Sequence, residues 1–281
     1  MSVITHTLMS AEQAQNTMNQ NDWVILDCRF YLTDHHKGKQ EYEKGHIPNA
    51  IFVDVHDQLA GTITELTGRH PLPSEEDFSR SLQAWGITSQ SKVLVYDDMS
   101  GAIAARAWWM LAQLGIEVYV LDGGFPAWCK VGFAVATTPA NGRASTESIK
   151  VSFPWAVSEQ EVIENIESDR FQLVDARSED RFYGENETID PVAGHIPGAI
   201  NRPFSANLDP EGLFKPAEQL HVEWQDWLLN SGDYVYYCGS GITACHNVLA
   251  LNHAGIEAKR VYVGSWSQWA KRMLRMTQVN E

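Results

Sequence analysis

Gly45-His46-Ile47-Pro48-Asn49-Ala50-Ile51 returns, 149 residues later, as Gly194-His195-Ile196-Pro197-Gly198-Ala199-Ile200. Other fragments repeat around it in the same order. Asp27-Cys28-Arg29 recurs as Asp175-Ala176-Arg177, Leu114-Gly115-Ile116 as Ala254-Gly255-Ile256, and Gly123 with Trp128 as Gly264 with Trp269. A period this long means two duplicated domains and not a solenoid, whose units are far shorter. The offset falls from 149 at Gly45 to 141 at Gly123, so the first copy carries eight extra residues between them. The turn-rich stretch from Leu59 to Ser74 is the expected place.

The copies differ at one strand end. Tyr234-Val235-Tyr236-Tyr237 runs into Cys238, whereas Val93-Leu94-Val95-Tyr96 runs into Asp97. Because only one copy has the cysteine, a residue type present in both reads as scaffold. His46 and His195 are therefore expected to be structural. Asp27 with Arg29 and Asp175 with Arg177 are expected to be carboxylate–guanidinium pairs at strand ends.

Short apolar runs recur before turn residues: Trp23 to Leu26, Val93 to Tyr96, Val118 to Leu121, Leu173-Val174, Tyr234 to Tyr237 and Val261 to Val263. Continuous apolarity with β-branched and aromatic residues predicts buried parallel strands. Helix-like segments alternate with them: Ser10 to Asn19, Ser74 to Trp85, Ala102 to Leu114, Ser158 to Ile166, Pro216 to Leu229 and Ile242 to Ala254. Ser10 and Ser158 are candidate N-caps, and Ser158-Glu159-Gln160-Glu161 fits a capping box. The alternation predicts α/β domains, each a mainly parallel sheet with helices on both faces. The domains are placed at residues 1–136 and 155–281, joined by a polar linker at 137–154.

The 281 residues, 44% of them hydrophobic, suffice for two cores. A formal charge of −15, with Lys and Arg scattered, argues against a nucleic-acid or anionic-membrane partner. The first twenty residues lack the pattern of a signal peptide, and no apolar run approaches the ~20 residues of a membrane span. Cys28, Cys129, Cys238 and Cys245 lack metal-ligand spacing. They suit a reducing compartment, and the expectation is a cytoplasmic protein. No metal or organic cofactor is implied.

Ligands of open α/β sheets bind beyond the carboxyl ends of the strands, where Cys238 stands. Gly239 and Gly241 let the following backbone curl into an anion nest, and a helix starting near Ile242 adds its positive end. A thiol placed there is favoured as thiolate, and the same donors would hold a persulfide. Cys245 shares a helical face with Ile242 and Leu249 and reads as core. A cysteine phosphatase would need an arginine six residues after its nucleophile, and that position is Ala244.

Together the Asp-x-Arg pairs, the Gly-His-Ile-Pro elements, the cysteine loop and the terminal Trp resemble a tandem-domain rhodanese-type sulfurtransferase, over Leu8 to Arg272. The resemblance implies a catalytically inactive first domain, with Asp97 at the cysteine position, and a Cys238 that cycles through a persulfide. Cys238-Gly239-Ser240-Gly241-Ile242-Thr243 resembles the 3-mercaptopyruvate branch more than the thiosulfate branch, in which cations follow the cysteine. A neutral loop suits a donor with one carboxylate better than a dianion. Ser240 is then a proton relay to the enolate that mercaptopyruvate leaves behind, and the loop residues Gly239, Gly241, Ile242 and Thr243 bind the donor. Arg181 matches the family arginine that holds the donor's anionic group; the alternative is a surface arginine paired with Glu179 or Asp180. His70 matches the histidine of a serine–histidine–aspartate relay; the alternative is a loop histidine fixing a Pro-rich turn. Ala60 falls where the relay's aspartate belongs. A second substrate arginine is absent from Tyr183 to Gly194; Arg202, shortly after, is the candidate substitute, although its spacing does not match the family's. The resemblance implies a small-molecule sulfur donor and a thiophilic acceptor: cyanide, or a thioredoxin-like or other thiol. The alternatives are a thiosulfate-preferring enzyme and a persulfide relay that serves a protein partner.

Overall fold

The computed structural model describes residues 3–18, 23–140, 144–228 and 232–279. The expected helix ends at Asn19 and Leu229, and linker positions 141–143, lie outside the described residues. The first half runs β1 (Leu8–Met9), α1 (Ala11–Thr17), β2 (Trp23–Asp27), α2 (Lys37–Lys44), β3 (Ala50–Phe52), α3 (Val55–Gln58), α4 (Glu75–Ala84), β4 (Lys92–Tyr96), α5 (Ala104–Ala112), β5 (Glu117–Leu121), α6 (Gly124–Val131). The second runs β6 (Ala156–Val157), α7 (Glu159–Ser168), β7 (Phe171–Asp175), α8 (Glu179–Phe182), β8 (Ile200–Asn201), a 3-10 turn (Phe204–Asn207), α9 (Ala217–Trp227), β9 (Asp233–Tyr237), α10 (Ala244–His253), β10 (Val261–Tyr262), α11 (Ser265–Val279).

Each half holds a five-stranded sheet whose strands pair in parallel, in the orders β1-β5-β4-β2-β3 and β6-β10-β9-β7-β8. The two orders are the same topology. The central strands β4 and β9 are those whose ends carry Asp97 and Cys238. Ser10 and Ser158 each close a capping box, with Gln13 and Glu161 reaching back to the cap amide, an arrangement that stabilises a helix start by about 1 kcal/mol.

One hydrophobic core spans both halves, bringing Trp108 and Trp109 of α5 together with Val248 and Leu249 of α10. Separate outer cores form around Leu94 and Trp128 and around Val235 and Trp269. Helices α5 and α10 therefore pack against each other through the middle of the molecule, and each lies next to the other half's strand-end loop. The eight-residue surplus falls where expected. The loop from Leu59 to Ser74 crosses to the second half, where Gln268 donates to Leu66 O (2.7 Å), Lys271 to Thr64 O (3.1 Å) and Arg275 to Glu65 O (2.6 Å). Among the described residues, no helix is long and apolar enough to cross a membrane.

Candidate active site

The repeated polar residues build the same strut twice. Arg29 grips Asp27 and the Gly45 carbonyl (2.6 and 2.7 Å); Arg177 grips Asp175 and the Gly194 carbonyl (2.7 and 2.7 Å). Both pairs are buried, and removing one partner of such a pair costs about 3–5 kcal/mol. His46 Nδ1 lies 2.7 Å from Tyr42 O with its ring stacked on Tyr42, and His195 Nδ1 lies 2.9 Å from Phe182 O with its ring stacked on Phe182. Each histidine is thus tied to the backbone of its own half.

Cys238, 1% exposed, sits at the end of β9. Its amide donates to Ser265 Oγ (3.1 Å), its carbonyl accepts from Trp266 N (2.9 Å), and its Sγ accepts from Gly241 N (3.1 Å). Gly241 has φ +79°, and a Cβ there would stand 2.4 Å from Val263 O, so the turn requires glycine. Helix α10 starts at Ala244, two residues later than expected.

The equivalent loop of the first half shows what this geometry holds. Asp97 Oδ1 accepts from the amides of Met99 (2.8 Å) and Gly101 (2.9 Å), and Oδ2 from those of Ile103 (2.7 Å) and Ala104 (2.8 Å). Burial pushes this carboxyl above the usual range while the amides pull it down. With each oxygen accepting two N–H groups, no position is left for a proton, and the group is a carboxylate.

Cys238 opens into a cleft of about 290 Å³ built by both halves, with Phe30, Leu32, Met99 and Ile189 as its apolar wall. Arg181 and Arg69 flank the cysteine: a Cβ on Gly239 would lie 3.5 Å from the Arg181 guanidinium and 3.0 Å from Arg69 Nη2. Arg69 comes from the surplus loop, anchored by its amide on Ser267 Oγ (3.1 Å), and the motif reading passed over it. Arg202 is not in the cleft. It pairs with Glu223 (3.1 Å) and lies over Trp224, so it does not fill the place of the second arginine. Nor does Arg181 pair with Glu179 or Asp180. It holds Glu187 (2.9 Å) and Asp190 (3.4 Å), while Arg69 also pairs with Asp190. The acidic Glu187 to Asp190 stretch thus balances both cleft arginines.

His70 Nδ1 lies 2.9 Å from Ser240 Oγ across the interface between the halves. Burial, reinforced by His56, Arg106 and Arg69, pushes this imidazole down to about 3, so it is neutral near pH 7. Its Nε2 is buried without a partner and Ala60 is buried nearby in sequence, so no carboxylate completes a triad. Cys245 is buried in the shared core beside Arg106, and burial pushes its thiol up to about 12. Ile242 and Thr243 line the cleft.

A family model for the rhodanese-like domain matches residues 10–131 and again 158–272. A probable 3-mercaptopyruvate sulfurtransferase of Pseudomonas aeruginosa is 42% identical over 267 residues, spanning 93% of this chain and 94% of that protein. The thiosulfate sulfurtransferase of Mus musculus is 34% identical, spanning 92% of this chain and 88% of that protein. Among solved structures, 3-mercaptopyruvate sulfurtransferase from Leishmania major superposes with a TM-score of 0.86 at 30% identity, over 96% of this chain and 75% of that one.

Proposed function

The chain belongs to the tandem rhodanese-type sulfurtransferases, and on that premise we propose that Cys238 is its sulfur carrier and 3-mercaptopyruvate its preferred donor. The observation that carries the donor assignment is the charge balance of the cleft. Arg69 and Arg181 are offset by Asp190 and Glu187, and the loop from Cys238 to Thr243 adds no cation. Among the side chains that line the cleft, a dianion such as thiosulfate therefore meets no unbalanced guanidinium, while a single carboxylate needs only one guanidinium fork.

In the first step the Cys238 thiolate attacks the donor's sulfur. The Cys238–sulfur bond forms as the carbon–sulfur bond breaks, and the electron pair leaves on pyruvate as its enolate. Ser240 passes its hydroxyl proton to the enolate carbon and takes the donor's thiol proton in exchange, with His70 Nδ1 orienting the hydroxyl, so that pyruvate and the anionic Cys238 persulfide are the products. The persulfide charge rests on the amides of the loop, as the Asp97 carboxylate does in the first half. A thiophile then attacks the outer sulfur; cyanide leaves as thiocyanate and the Cys238 thiolate is restored.

Thiocyanate formation measured with 3-mercaptopyruvate and with thiosulfate tests this reading. Expected is a kcat/KM at least about tenfold higher for 3-mercaptopyruvate, about 1.4 kcal/mol of transition-state preference. A preference for thiosulfate contradicts it.

A further inference from the structure

Arg106 of α5 is wholly buried, and among the described residues no carboxylate pairs with it. Its Nη1 donates to Gly241 O (3.1 Å), and its Nη2 to Leu59 O (3.3 Å) and His70 O (3.5 Å), while Nε has no partner. A guanidinium is not deprotonated in proteins, and a buried charge without a counter-ion is costly. The groups near it that can become anions are the thiols of Cys238 and Cys245. Cys245 donates its thiol hydrogen to Gly241 O (3.5 Å) and is held protonated by burial. Cys238 remains.

The internal repeat sharpens this. The offset of 140 that takes Gly115 to Gly255 takes Arg106 to His246. His246 Nε2 meets Ser100 O (3.1 Å) in the Asp97 loop, just as Arg106 meets Gly241 O in the Cys238 loop. Each loop is backed by the other half's helix. His246 faces a carbonyl at Nε2 and the Asn207 amide nitrogen at Nδ1 (3.3 Å), an arrangement that only the neutral ring satisfies. Burial pushes it down to about 4. The loop with a permanent anion thus has a neutral ring behind it, and the loop with a cysteine has a permanent cation.

We propose that Arg106 is the built-in counter-charge of the Cys238 thiolate and persulfide, supplied by the half that has no cysteine at this position. It touches neither donor nor sulfur and acts through the loop as a positioning residue. By holding the Gly241 carbonyl it sets the plane of the next peptide, and a trans peptide points the Ile242 N–H the opposite way, away from Arg106. The same guanidinium ties down the His70 carbonyl. This inference rests on Cys238 being the sulfur carrier.

The test is the pH profile of iodoacetamide alkylation of Cys238 in the full chain, read by mass spectrometry of the Cys238 peptide. Arg106→Gln keeps a donor but removes the charge, and Arg106→Lys keeps the charge. Arg106→Gln should alkylate about tenfold more slowly at pH 7, with its profile displaced by about one unit to higher pH, and Arg106→Lys should stay within about threefold of the parent. Parent-like alkylation of Arg106→Gln overturns the proposal, as does an equal loss in Arg106→Lys. A second pair leaves Arg106 in place and covers misfolding of the first. Cys238→Asp should melt higher than Cys238→Asn at pH 7 and lose that advantage as its carboxylate protonates. An aspartate variant melting no higher than the asparagine variant overturns the proposal. Failure of the carrier reading itself is seen separately, as turnover that survives Cys238→Ser.

Discussion

The Asp97 and Cys238 loops are the same device with different side chains. Each follows the central strand of its sheet, turns on a glycine of positive φ (Gly101 +82°, Gly241 +79°) and leads into a helix. The strand-end carbonyl of each accepts an amide from the last helix of its half: Phe125 N to Asp97 O (2.8 Å), Trp266 N to Cys238 O (2.9 Å). In the first half the anion is part of the chain, and the loop is a strut. In the second the Gly241 amide faces the Cys238 sulfur, which the proposal makes the anion, first as thiolate and then as persulfide. The fold supplies the cradle in both halves; one side chain and the charge behind it separate stability from reactivity.

The largest expected effect comes from emptying the first cradle. Asp97→Ala leaves four amides, three of them buried, without an acceptor, a loss of about 4 kcal/mol. Calorimetry should show Tm lowered by roughly 10 °C, whereas Cys238→Ala should cost about 1 kcal/mol or less. Equal losses would mean that the two loops are not strut and cradle.

Next comes the arginine that the first half lends to the cleft. Arg69→Ala should lower kcat/KM for 3-mercaptopyruvate by about 50-fold, mainly through KM, while Arg202→Ala stays within about twofold. The reverse order would move the donor site away from the interface between the halves.

The smallest effect is a pH dependence. His246, at about 4, lies below its unfolded value of about 6.5. Above that value both states are neutral and the ring contributes nothing to the dependence. As pH falls below it, the unfolded chain binds a proton that the fold excludes, and stability is lost until the folded value is reached. Between pH 7 and 5 the parent should therefore lose about 2 kcal/mol more than His246→Gln. Equal slopes would mean that the ring behind Asp97 is not held neutral.

The sheets were legible because their central strands are continuous apolar runs, and the candidate loop because only one copy ends in cysteine. The two-residue strands Leu8–Met9, Ala156–Val157 and Ile200–Asn201 are too short to show periodicity. Helix α6 was missed because Gly124 opens it at positive φ, and a Cβ there would stand 2.2 Å from Asp97 O. Arg202 is the candidate substitute that proximity along the chain offers, but it lies outside the cleft on Glu223 and Trp224. Arg69, 112 positions away from Arg181, lines the cleft beside Gly239 because the surplus loop folds across the interface. Arg106 and Ser265 carried no signal: a helical arginine between alanine and tryptophan neighbours gives no hint that its charge lies behind the other half's cysteine.

The central claim is that sulfur is carried on Cys238 and nowhere else in the chain. Incubation with 3-mercaptopyruvate followed by intact-mass spectrometry tests it most directly. The parent should gain the mass of one sulfur atom and lose it on adding cyanide, and Cys238→Ser should gain none. The Asp97→Cys, Cys238→Ser double variant should gain none either, because its thiol would have a neutral ring behind it. A sulfur adduct on either variant would contradict the account.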